Sequence, residues 1–197
     1  MSRRKDVAQG LKKIRGVEEE TPEKAVAHVL PGEGIRSLWV MGELVTYKIP
    51  SHRTSGAYAL FEVVTHPGAG SPPHIQHRED ESFYVLEGEF EFLSGEETIR
   101  AGAGSLLYVP KGTLHAHKNV GEVVGRLLVS QTPGGLYELF FEQVGKAVEG
   151  NDAGPFVFED QLDLRKIVEV AAEHGTEIPV TIAQQDRPTN TTERGEQ

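Results

Sequence analysis

Nine short runs of apolar or alternating residues follow one another through residues 35–132, and they leave this chain few ways to fold. They are Ser37–Met41, Glu43–Ile49, Ala57–Thr65, Ser82–Glu87, Glu89–Leu93, Thr98–Ala101, Leu106–Val109, Leu114–Lys118 and Gly125–Thr132. Each is rich in Val, Tyr, Phe or Thr, and Gly or Pro turns separate them. Short strands without intervening helices cannot make a parallel sheet, so the pattern predicts an antiparallel sandwich or barrel. Along the strands, Phe90 with Phe92 and Phe83 with Val85 share faces that belong in a core, and Tyr47, Phe61 and Leu127 are candidates to line an apolar cavity.

The flanks read differently. Residues 1–30 are expected to be helical, with Thr21-Pro22-Glu23 as a helix start. Residues 1–15 carry six Lys/Arg and one acid, and Val7, Leu11 and Ile14 fall on one helical face. After Pro133-Gly134-Gly135 the spacing of Leu136, Leu139, Phe140 and Val144 is again helical. A further helix is expected from an Asp163 cap to His174, stopped by Gly175. The expected organisation is an extension over 1–28, a β-barrel over 29–144, a C-terminal helical segment over 145–183 packed on the barrel, and a disordered tail over 184–197.

Composition then limits the chemistry. The chain has no cysteine, so any metal is held by nitrogen and oxygen donors, and thiol catalysis is excluded. A formal net charge of −10 argues against nucleic acid as partner. Neither a membrane-length apolar run nor a signal-peptide pattern is present, which predicts a cytoplasmic protein without a membrane partner.

Four histidines sit in two tight clusters, His74 with His77 and His115 with His117. Strand alternation puts His74 and Gln76 on one face and turns His77 to the other, where Glu79 or Asp80 is its expected contact. His115 and His117 likewise share a face. Inward residues of neighbouring strands converge in a small barrel. Two imidazoles and the Glu81 carboxylate meeting there form the 2-His-1-carboxylate set of non-haem iron sites. Glu79 and Asp80 read as a solvated acidic turn, and His52, Arg53 and His66 as solvated loop residues.

Gly68-x5-His74-x-Gln76-x4-Glu81-x6-Gly88 resembles the first sequence motif of the cupin superfamily, with Gln76 where that family usually has a second histidine. Gly104-x5-Pro110-x-Gly112-x2-His115-x3-Asn119 is similar to the second motif at every position. Over roughly residues 29–180 the chain resembles single-domain cupins of the quercetin 2,3-dioxygenase-like kind. The resemblance implies an all-β double-stranded β-helix, or jelly-roll barrel, with short flanking N- and C-terminal helices. It also implies one divalent transition-metal ion (Fe, Mn, Ni, Co, Cu or Zn) on His74, Gln76, Glu81 and His115. An amide oxygen is a weaker donor than imidazole, so Gln76 either ligates the metal, supports its ligands by hydrogen bonds or hydrogen-bonds to substrate.

The implied activity is a dioxygenase acting on a small aromatic or enolic substrate, with Glu81 as both ligand and base. The alternatives are an isomerase or cyclase using the metal as Lewis acid, and a non-catalytic small-molecule-binding cupin. His117 either lines the pocket, shuttles protons or ligates the metal. A homodimer is expected, with Leu136, Phe140 and Phe141 covering the interface.

Overall fold

The computed structural model describes residues 26–148 and 163–179. The expected basic helix within 1–15, the Thr21 helix start and the 184–197 tail lie outside the described residues.

Strands form wherever the alternation is strongest: β1 (Arg36–Val40), β2 (Glu43–Ile49), β3 (Ala59–Thr65), β4 (Gly70–Gln76), β5 (Asp80–Glu87), β6 (Glu89–Ser94), β7 (Glu97–Gly102), β8 (Leu106–Val109), β9 (Leu114–Asn119) and β10 (Gly125–Thr132). Two helices follow, α1 (Leu136–Val144) and α2 (Leu164–Glu173), with the two-residue strands β11 (Lys146–Ala147) and β12 (Thr176–Glu177). The strands assemble into two antiparallel sheets, one in the order β11-β1-β2-β3-β10-β5-β8 and the other in the order β12-β4-β9-β6-β7. Their inner faces share one core, in which Phe83 of β5 meets Phe92 of β6 at a ring-centroid distance of 5.2 Å. Full burial of such a ring is worth about 2–3 kcal/mol. Gly88 turns the chain from β5 to β6 at φ 90°, where a Cβ would stand 2.8 Å from the Gly125 Cα, so only glycine fits.

β4 is absent from the nine runs, although strand alternation is applied from His74 onward. Pro72 and Pro73 hide its alternation, yet they sit where the β4–β9 register shifts between Ser71 and His74, the irregularity at which a strand accommodates proline. Residues 26–30 are not helical, because Pro31 bars helical geometry at Leu30 and Gly32 turns the chain at φ 73°.

Helix α1 lies where the spacing predicts, but its buried face is rotated. Tyr137, Phe140 and Phe141 point inward, while Leu136 and Leu139 are half-buried. Phe141 packs edge-on against Phe61 at 5.4 Å. The dimer interface expected on Phe140 and Phe141 is therefore corrected: both rings belong to this chain's own core, at 1% and 8% exposure. Exposed apolar side chains lie instead on the outer face of β5 and β8, among them Tyr84, Leu86, Leu106 and Tyr108. Asp163 caps α2 by accepting from the Arg165 and Lys166 N–H groups, as expected. No helix among the described residues is long and apolar enough to cross a membrane.

Candidate metal centre

The two histidines come from one sheet and the carboxylate from the sheet facing it. On β4 and β9, His74 and His115 are direct register partners, and their rings stand 4.2 Å apart. On β5, Glu81 leads the inward series Glu81, Phe83, Val85, opposite Gln131 of β10. His74, Glu81 and His115 are all buried, and each offers a ligand atom within 4.8 Å of the others.

Backbone carbonyls set the direction of both rings. His74 Nδ1 lies 2.9 Å from Pro72 O, and His115 Nδ1 lies 2.9 Å from Thr113 O. A carbonyl only accepts, so each Nδ1 carries hydrogen and each Nε2 turns into the site. There His115 Nε2 faces Glu81 Oε2 at 2.9 Å, and Gln131 Nε2 donates to Glu81 Oε1 at 3.1 Å. A lone pair facing a carboxylate oxygen needs a positive charge between them, either a proton or a metal ion. Burial pulls the His74 imidazole down to about 4, with the neighbouring His115 adding to it, so His74 presents a lone pair. Burial also works to raise Glu81, but the His115 contacts outweigh it and hold the carboxyl below its usual range. An ionised carboxylate with two inward imidazole nitrogens is the donor set of a divalent transition metal. The buried cluster is thus a site suited to one such ion.

Gln76 follows His74 on the same face of β4 and is 2% exposed. Neither of its amide atoms has a hydrogen-bond partner. An orphaned buried amide costs about 1–3 kcal/mol, which a ligand would relieve.

His117 is placed one pleat beyond His115 and is occupied elsewhere. Its Nε2 lies 2.8 Å from Glu43 Oε1, and its Nδ1 lies 3.0 Å from Ser71 Oγ. Thr65 Oγ1 donates to the same Glu43 oxygen at 2.6 Å. Burial lowers the imidazole, but the Glu43 charge prevails and raises it. Sequence reasoning passed over Glu43, although its spacing from Val45 and Tyr47, both core residues, marks it as inward.

Glu79 overturns the expected solvated acidic turn. It is 1% exposed, and its carboxylate accepts the Tyr137 N–H at 3.2 Å, serving α1 in place of the cap that Gly135 cannot supply. Burial pushes the carboxyl up to about 8 against that hydrogen bond, with Glu81 adding to the rise. His77 does face outward, but its Nε2 pairs with Glu177 at 3.1 Å rather than with Glu79 or Asp80. His52 and Arg53 are exposed, as expected, whereas His66 is half-buried.

A small cavity of about 40 Å³ adjoins the cluster, lined by Glu43, His74, Glu81, Phe83, His117 and Tyr137 among others. One water needs roughly 10–15 Å³ by the same measure, so the space suits a few small-molecule atoms. Of the candidate lining residues, Phe61 reaches it, while Tyr47 and Leu127 are buried in the surrounding core.

Comparison with known proteins agrees with this fold and site. The family described as Cupin domain matches residues 61–130, which contain all three clustered residues. An uncharacterized protein of Streptomyces coelicolor is 33% identical over 78 residues, covering 40% of this chain and 69% of that protein. Quercetin 2,3-dioxygenase of Bacillus subtilis is 29% identical over 136 residues, 67% of this chain but only 39% of that enzyme. The chain thus spans well under half the length of that enzyme. A predicted oxalate decarboxylase of Thermotoga maritima superposes with a TM-score of 0.51 at 18% identity, covering 54% of this chain and 99% of that one, a likeness of fold alone. The chain belongs to the cupin superfamily.

Proposed function

We propose that residues 29–144 close into a jelly-roll barrel carrying a metal-dependent enzyme site, of dioxygenase type, for a small enolic or aromatic substrate. The carrying observation is the convergence of His74, Glu81 and His115 in one buried cluster, with His74 and Glu81 on the wall of a small, largely apolar cavity. In this reading Gln76 Oε1 completes the ligand set, which accounts for its buried, unpartnered amide. Such an ion, when bound, supplies Lewis acidity and, where redox-active, access to oxygen chemistry.

The chain's own residues supply the rest. Gln131 donates to Glu81 Oε1, so the carboxylate is held in place to accept a substrate hydroxyl proton. The His117–Glu43 pair holds a proton at the cavity wall, with Ser71 and Thr65 orienting it. Val63, Phe83 and Val129 exclude water around them. The 29% likeness to a quercetin 2,3-dioxygenase supports this chemistry. A second reading, isomerisation or cyclisation with the metal as Lewis acid only, is favoured by one observation: a neutral amide occupies the position of an imidazole.

The test is oxygen uptake by protein loaded in turn with each candidate metal, over a panel of flavonols and β-diketones. Uptake with redox-active metals and none with zinc is the expected result. Full turnover with zinc, giving products of unchanged oxygen content, would sink the dioxygenase reading and leave the Lewis-acid one.

A further inference from the structure

Tyr137 is the side chain that the site geometry leaves without a settled partner. It enters the cavity from the first turn of α1, where Glu79 anchors its backbone N–H. Its ring stacks on His74 with centroids 6.1 Å apart and planes 20° apart. Its hydroxyl lies 3.4 Å from His74 Nε2, at the long limit of a hydrogen bond. That nitrogen is also the one turned toward the metal site, because Pro72 O takes Nδ1. A metal ion would claim its lone pair and leave the phenol O–H aimed at the position beside it. The Gln76 amide also neighbours the phenol, but its oxygen is the one assigned to the metal. A buried hydroxyl without an acceptor costs about 1–3 kcal/mol.

Charge points the same way. A divalent ion with the Glu81 carboxylate leaves one positive charge in the cluster. His117 and Glu43 pair with one another at 2.8 Å, apart from the cluster. Glu79 does not line the cavity. A single buried positive charge beside apolar walls calls for one negative counter-charge.

We propose that the site takes a small monoanionic oxygen ligand, a carboxylate or enolate, and that the Tyr137 hydroxyl donates the hydrogen bond that holds it. This rests on the metal-site reading above and names the class of ligand for it. A phenol carries one O–H and offers it as a single hydrogen-bond donor. The cavity volume of about 40 Å³ admits the anionic end of a molecule.

The experiment uses the full chain loaded with Co(II), whose visible absorption reports ligand exchange, titrated with acetate. Wild type is expected to hold one Co(II) per chain and to show a saturable acetate response. Tyr137→Phe keeps the ring and its packing; it should retain the metal and the unfolding temperature while the acetate Kd rises about tenfold, the loss of one charge-assisted hydrogen bond. In wild type, acetate should also perturb the near-ultraviolet tyrosine absorption, a readout that needs no variant. Failure of wild type to hold Co(II) would overturn the metal reading itself. Retained Co(II) with no acetate response, or with equal acetate affinity in Tyr137→Phe, would overturn the Tyr137 proposal alone.

Discussion

The core of this protein contains two imidazole–carboxylate pairs two residues apart on one strand, and they serve different ends. His115 faces Glu81 at 2.9 Å and His117 faces Glu43 at 2.8 Å. Both pairs are buried. What separates them is the company each keeps. The Thr113 carbonyl locks His115, and His74 sits beside it with its own nitrogen turned inward. His117 meets the Ser71 hydroxyl instead, and Glu43 takes a second hydrogen bond from Thr65. The first pair belongs to a cluster suited to a metal ion, whereas the second is closed by its own hydrogen bonds. An imidazole–carboxylate contact becomes a metal site when a second imidazole joins it and backbone carbonyls fix both tautomers.

The largest expected effect breaks the first pair. His115→Ala should weaken metal binding by more than about 100-fold, beyond what loss of an outer-sphere partner costs. Metal analysis of protein purified without added metal checks it, and occupancy equal to wild type would mean that these residues do not form the site. His117→Ala should leave metal content near wild type and act on stability instead. Removing the imidazole strands Glu43 as a buried charge, a loss of about 3–5 kcal/mol in urea unfolding. Glu43→Gln, which keeps a hydrogen-bonding partner for His117, should cost clearly less. Metal loss in His117→Ala without a stability loss would reverse the roles assigned to the two pairs.

A smaller change sharpens the first pair. Gln76→His restores the nitrogen donor usual in the family and should tighten metal binding by about tenfold, at the low end of what changes around a metal produce. Competition against a chelator measures it. Unchanged affinity would place Gln76 outside the metal's reach and return its amide to substrate binding.

Much of this arrangement was legible before any coordinates. The period of two along β5, β9 and β10 gave inward Glu81, His115 and Leu127, and the cupin motifs tied Glu81 and His115 to His74. Three things were not legible, each for a physical reason. Two prolines masked the part of β4 ahead of His74, because propensity counts proline against a strand and cannot see a register shift that accommodates it. Glu79 looked solvated because its partner, the first turn of α1, lies 58 residues away in sequence. Glu43 needed only its own parity with Val45 and Tyr47, but its partner His117 comes from the facing sheet. Pairings across sheets leave no local trace, and they decide which His–Glu pair is suited to a metal.

A third buried carboxylate extends the comparison to fixed cations. Glu62 lies 2.7 Å from Lys48 Nζ, accepts from Gly32 N–H at 3.3 Å and is bonded by Arg126. Burial works to raise its carboxyl, but these donors prevail and hold it below the ordinary range. A carboxyl lowered in the fold stabilises the protein fully above its unfolded value of about 4.3, and that stability is lost as pH falls through the folded value. Urea unfolding from neutral pH downward should therefore show an acid-side loss in wild type that is shallower in Glu62→Gln, which has no proton to take up there. The difference is kept small because one of the two cations, Arg126, is 26% exposed and partly screened. His117→Ala should not flatten the same limb as Glu62→Gln does, since it leaves the Lys48 and Arg126 contacts intact. An acid limb identical in wild type and Glu62→Gln would show that fixed cations lend this carboxylate nothing.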